Sequence, residues 1–107
     1  MNIDEIRRSI QQGTYTISFT HTEKLRRRKI ELSAIEEVVF NGQIIESYPD
    51  DPRGPSCLIL GFTGAQRPIH IVCGHLGRDR ILIITAYEPD REEWESDWKT
   101  RKRKIQP

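Results

Sequence analysis

The apolar positions change their period along the chain, and the changes outline the fold. Ile3, Ile6 and Ile10 recur at helical spacing behind Asn2, which predicts a short first helix ending near Gly13. Tyr15, Ile17 and Phe19 then alternate with Thr16 and Ser18, the period of a half-buried strand. Thr20-His21-Thr22-Glu23 has the form of a capping box opening a short, very basic helix with Leu25 as its main apolar contact. Ser33-Ala34-Ile35-Glu36 is a second such box; its helix turns Ile35, Val38 and Val39 inward, and Gly42 suits the left-handed position at its end.

From Gln43 onward the pattern is β. Strands are expected over Gln43–Tyr48, Ser56–Phe62, Arg67–Cys73 and Arg80–Tyr87, with turns at Thr63–Gln66 and Gly74–Asp79. The last strand is apolar on both alternating sets (Ile81 and Ile83; Leu82, Ile84 and Ala86), so it belongs inside a sheet, with Tyr87 at its tip. Pro49 to Pro55 contains three prolines and must be a stiff surface loop. Arg91 to Trp98 is expected to form a last helical turn or two, which Trp94 and Trp98 would staple to the body. The order α-β-α-α-β-β-β-β with hairpin-length connections predicts an α+β fold: a mostly antiparallel sheet of four to five strands, with N-terminal helices on one face.

A chain of 107 residues has room for one core. Residues 1–98 are expected to form that domain and 99–107 a basic, mobile tail. The formal charge of +1 conceals two positive clusters, five basic residues in Lys24–Lys29 and five in Lys99–Lys104. No signal peptide or membrane-length apolar run is present, which makes the cytosol the default compartment. Cys57 and Cys73 fit no zinc or CxxC pattern. A hairpin about Gly64 would bring them nearly opposite, and the plain reading is two buried reduced thiols.

Metal-free cleavage of RNA needs a base, an acid and a cation for the charge on phosphorus. His70 lies mid-strand, pointing away from the face of Ile69 and Ile71, and reads equally as a hydrogen-bonded sheet histidine. Tyr87 is either a site hydroxyl or an ordinary amphipathic tyrosine. The clusters supply Arg26, Arg27, Arg28, Lys99 and Arg101, with Arg53 in the proline loop, as phosphate contacts or as solvated charge. The acidic run from Glu88 to Asp97 would repel RNA if it shared their face. The scattered histidines offer no metal site, and no cofactor motif occurs.

Asn41-Gly42-Gln43-Ile44-Ile45-Glu46-Ser47-Tyr48-Pro49-Asp50-Asp51, Arg53-Gly54-Pro55-Ser56-Cys57-Leu58, Pro68-Ile69-His70-Ile71-Val72 and Ile84-Thr85-Ala86-Tyr87-Glu88-Pro89-Asp90 with Trp94 together resemble a known family. It is a small bacterial and cyanobacterial domain-of-unknown-function family related to the BrnT and RelE-like toxins, and the resemblance spans roughly Tyr15 to Trp98. It implies a RelE-like fold, with a curved antiparallel sheet whose helix-free face meets RNA. It also implies a toxin of a type II toxin–antitoxin pair, a metal-independent endoribonuclease acting on mRNA, bound by a small zinc-finger antitoxin and acting with or without the ribosome. On that analogy Tyr87 is base or acid, His70 a proton shuttle or orienting group, and Arg28 or Arg101 the phosphate clamp.

The family's first motif, His-Ala-x-x-Arg-Met-x-x-Arg-x-Ile, registers on Leu25, Arg28 and Ile30. Its histidine then falls on Thr20, and His21 lies one residue off, about 100° around a helix. The alternative reading is a non-catalytic domain that binds protein or RNA through its charged helices.

Overall fold

The computed structural model describes residues 1–18, 22–77 and 80–103. The elements run α1 (Ile3–Gln12), β1 (Tyr15–Ile17), α2 (Thr22–Arg27), α3 (Leu32–Asn41), β2 (Gln43–Tyr48), β3 (Ser56–Phe62), β4 (Pro68–His75) and β5 (Ile81–Tyr87). The five strands form one open sheet in the order β1-β5-β4-β3-β2. From β2 to β5 it is an antiparallel meander, as the short connections require. β1 joins β5 in parallel, with Tyr15 opposite Ile81 and Ile17 opposite Ile83, so the sheet is mixed.

The helices start and stop for local reasons. Asn2 caps α1 by accepting a 2.8 Å hydrogen bond from the Glu5 amide, and Gly13 ends it at φ 73°. α3 departs from expectation at both ends. It begins at Leu32 behind Glu31, which makes no side-chain cap bond, so Ser33 lies inside the first turn. Gly42 has φ −90°, which any residue adopts. What Gly42 supplies is space, because a Cβ there would lie 2.4 Å from the Val38 carbonyl oxygen and 2.8 Å from that of Leu60. A Cβ on Gly61 would meet the same Val38 carbonyl at 2.4 Å. Two glycines therefore let α3 sit close against β3. Phe19, Thr20, His21, Arg78 and Asp79, with the family histidine position and the first half of the first capping box, lie outside the described residues, as does the predicted tail from Lys104 on.

One face of the sheet carries the core. Cys57, Ile59, Ile69, Ile71, Cys73, Ile81, Ile83 and Ala86 pack there with Ile6, Ile10, Leu25, Ile35, Val38 and Val39 from the helices. Fully burying each large aliphatic side chain contributes about 1.5–3 kcal/mol. Cys57 and Cys73 are directly opposite on β3 and β4, both buried and both free thiols.

Cross-strand partners share a face, so the register also defines the helix-free side. One row there is Leu60–His70–Tyr87 and the next is Glu46–Leu58–Val72–Thr85. The chain after Tyr87 returns across these rows.

Candidate functional site

His70 lies on the helix-free face of the central strand β4 and is fully buried. Trp94 meets it edge-on at 4.5 Å between ring centroids, and Tyr87 lies 5.5 Å away on the neighbouring strand. His70 Nε2 donates a 2.6 Å hydrogen bond to the Trp98 carbonyl. A carbonyl can only accept, so Nε2 carries the proton and Nδ1 presents a bare lone pair. That buried Nδ1 has no partner. Burial lowers the His70 pKa, against the Trp98 carbonyl and Glu46, which raise it, and Arg101 lowers it further. The ring is neutral near pH 7.

The cover over His70 is a small hairpin where a helix was expected. The Glu95 amide donates to Thr100 O at 2.8 Å and the Lys102 amide to Glu93 O at 2.9 Å, bridging Trp94 and Arg101. Asp97 builds the turn, its carboxylate accepting from the Lys99 amide at 3.0 Å and from the Thr100 amide at 2.9 Å and hydroxyl at 2.7 Å. Trp98 follows at φ 61°, the left-handed region, so Trp94 and Trp98 do not share a helical face. Trp94 is buried all the same.

Arg101, expected on a free tail, is folded back onto the sheet. Its Nε and Nη2 donate to the two Glu46 carboxylate oxygens at 2.8 and 2.9 Å, and its guanidinium lies 4.5 Å over the Trp94 ring. Glu46 also accepts from the Tyr48 hydroxyl, two residues along β2 on the same face. The Arg101 hydrogen bond holds the Glu46 carboxyl below its ordinary range, outweighing burial. Burial, then Glu46, pushes the Tyr48 hydroxyl up to about 12.

Tyr87 ends β5 half-buried. Its pKa is raised, chiefly by burial; Arg101 and Arg28 act to lower it, Glu46 and Glu93 to raise it. It thus faces charges of both signs and keeps its proton near pH 7. Arg28 reaches it from the other side. The Ser18 amide bonds Ile83 O, and further along β5 Arg28 Nη1 donates to Ala86 O at 2.7 Å and Thr85 Oγ1 at 3.3 Å. Arg67 fixes the end of α2 by donating to Arg28 O at 2.7 Å and Lys29 O at 2.8 Å, and pairs with Glu88.

Tyr87, His70, Arg28 and Arg101 therefore converge at one end of the helix-free face. Arg26 and Arg27 stand exposed on α2 beside them, and Lys99 is exposed at the hairpin tip. Arg53 is elsewhere, held by Asp51 in the proline loop. Sequence reasoning passed over Glu46, Tyr48 and Arg67. The alternation Glu46-x-Tyr48 on a predicted strand put both side chains on one face; their partner is 55 residues away and left no local trace. Among the described residues no three His, Cys, Asp or Glu side chains gather as a metal site, and no helix is long and apolar enough to cross a membrane.

A family described as "Domain of unknown function (DUF4258)" matches residues 21–88, well over half the chain. The matched span holds Arg28, Glu46, Tyr48, His70 and Tyr87, and the hairpin with Trp94 and Arg101 lies beyond it. No solved structure matches.

Proposed function

The chain belongs to the DUF4258 family, a domain of unknown function, and we propose that it is a RelE-like endoribonuclease, the toxin of a type II toxin–antitoxin pair. The observation that carries this reading is the convergence of Tyr87, His70, Arg28 and Arg101 from four separate stretches of chain. Their protonation states suit a 2′-hydroxyl attack on the adjacent phosphorus. The neutral His70 has a free Nδ1 lone pair to take the 2′-hydroxyl proton. The protonated Tyr87 hydroxyl gives a proton to the departing 5′-oxygen, leaving a 2′,3′-cyclic phosphate and a 5′-hydroxyl. Arg28 and Arg101 carry the charge that builds on phosphorus. The neutralising partner in this reading is a small zinc-finger antitoxin, and the compartment is the cytoplasm.

The test is expression in a bacterial host, alone and with the neighbouring gene. Growth arrest with loss of mRNA integrity, relieved by the neighbour and by Tyr87→Phe, supports the reading. Unchanged growth and intact RNA overturn it.

A second reading has its own observation. Lys24, Arg26, Arg27 and Lys29 stand exposed while His70 is enclosed, as in a non-catalytic domain that grips RNA or an acidic protein through α2. It requires charge reversal at Arg26 and Arg27 to abolish binding and His70→Ala to leave it intact.

A further inference from the structure

The histidine assigned to chemistry above is inaccessible as it stands. Trp94 covers the His70 ring, and the Trp98 carbonyl holds its Nε2. Glu93 adds negative charge beside Tyr87, so a polyanion approaching that hydroxyl meets repulsion as well as a steric barrier. Among the described residues, the hydrogen bonds tying residues 93–103 to the sheet run from Arg101 to Glu46 and Tyr48 and from His70 to Trp98.

We infer that this hairpin is an autoinhibitory cap, latched by Glu46, whose carboxylate occupies on Arg101 the place that an RNA phosphate takes when the cap opens. What it covers rests on the reading above; its opening does not. Three features favour a part that moves. The latch is accessible to water, Arg101 being 58% and Glu46 23% exposed, so competing anions can reach it. The guanidinium fork that grips a carboxylate with two parallel bonds grips a phosphate in the same way. Closure also carries two local costs, a tryptophan in the left-handed region and a buried histidine nitrogen with no donor facing it. Opening relieves the second, by letting water reach the histidine nitrogen. The cap's remaining hold is the burial of Trp94.

Native-state hydrogen exchange tests this on the full chain. With Glu46→Gln, the Glu95 and Lys102 amides, which close the hairpin, are expected to exchange about threefold faster, the loss of a partly exposed charge pair. The amides of Ile59 and Ile71 in the central strands are expected to stay unchanged. The swapped pair Glu46→Arg with Arg101→Glu is expected to restore slow exchange at both hairpin amides. If Glu95 and Lys102 exchange at the same rate in wild type and Glu46→Gln, or move only together with Ile59 and Ile71, the hairpin is fixed core and the cap idea is wrong. An oligouridylate separates this from the ribonuclease reading. Selective opening by Glu46→Gln without oligouridylate binding keeps the cap and removes the RNA; binding with no selective opening does the reverse.

Discussion

Arg101 closes a two-bond fork on Glu46, 55 residues earlier in the chain, and so joins the Trp94–Arg101 hairpin to the edge strand β2. The contact sets the character of the helix-free face. It places a cation, a carboxylate and two aromatic rings around His70, and it decides whether that histidine meets solvent.

The latch is expected to respond to acid. The folded Glu46 carboxyl titrates below its usual 4.5, so its contribution is complete above that value and lost as pH falls through the folded pKa. Acidification below about 4.5 should therefore raise acrylamide quenching of Trp94. Arg101→Ala should abolish the pH step and cost only about 0–1 kcal/mol of global stability, since the pair is partly exposed.

His70 imposes a second dependence at higher pH. Its folded pKa lies below 6.5, so the unfolded chain binds the proton first, and stability falls as pH drops from 6.5 toward the folded value. Urea midpoints measured across that range should show the slope in wild type and a flatter line in His70→Phe.

Arg28 is expected to matter for stability as well as chemistry. Arg28→Ala strips the Ala86 carbonyl of a charged donor and frees α2 from β5, a loss of about 1.5–3 kcal/mol. Arg28→Lys should recover part of it, since both bonds leave the single nitrogen Nη1 and an ammonium also carries more than one donor, though on a stem of different shape. Chemical denaturation of the three proteins settles the order.

The helix–sheet seam should tolerate no added carbon. Gly61→Ala brings a methyl to within 2.4 Å of the Val38 carbonyl, a backbone atom that cannot step aside. A loss of about 1–3 kcal/mol or more is expected. Gly64→Ala, whose nearest neighbour is a Glu37 carboxylate oxygen at 3.7 Å, is the control that should change little.

The paired thiols should be inert in the native state. Burial pushes Cys57 up to about 11 and also raises Cys73 well above its ordinary value, so neither offers thiolate at neutral pH. A thiol reagent should label both only as fast as the chain unfolds, while rapid labelling of the folded protein would show that the core opens locally.

Much of this was legible before the structure. β2 and β3 lie over the predicted Gln43–Tyr48 and Ser56–Phe62; the apolar run of β3 is buried along both faces, and β2 is a partly exposed edge strand. β4 runs two residues past Cys73, since Gly74 and His75 still pair with β5 and form no turn. The parallel seat of β1 beside β5 was not legible. β1 is three residues long, and its place is set by α1 packing across the sheet, a contact with no local signature. The hairpin misled for a different reason. Trp94 and Trp98 have helical spacing, yet Asp97 bonds three groups of the turn and the Arg101–Glu46 pair pulls the return arm down. Tyr87 and His70 were visible as candidates from strand position; that a cap separates them from solvent was not.

The most direct test incubates purified wild type, Glu46→Gln, Tyr87→Phe and His70→Ala with RNA and reads the ends produced. Cleavage to 2′,3′-cyclic phosphate and 5′-hydroxyl ends is expected from wild type, faster from Glu46→Gln, and lost in Tyr87→Phe and His70→Ala by about 10²-fold or more. Intact RNA with both wild type and Glu46→Gln, or equal cleavage by Tyr87→Phe, would contradict the assignment.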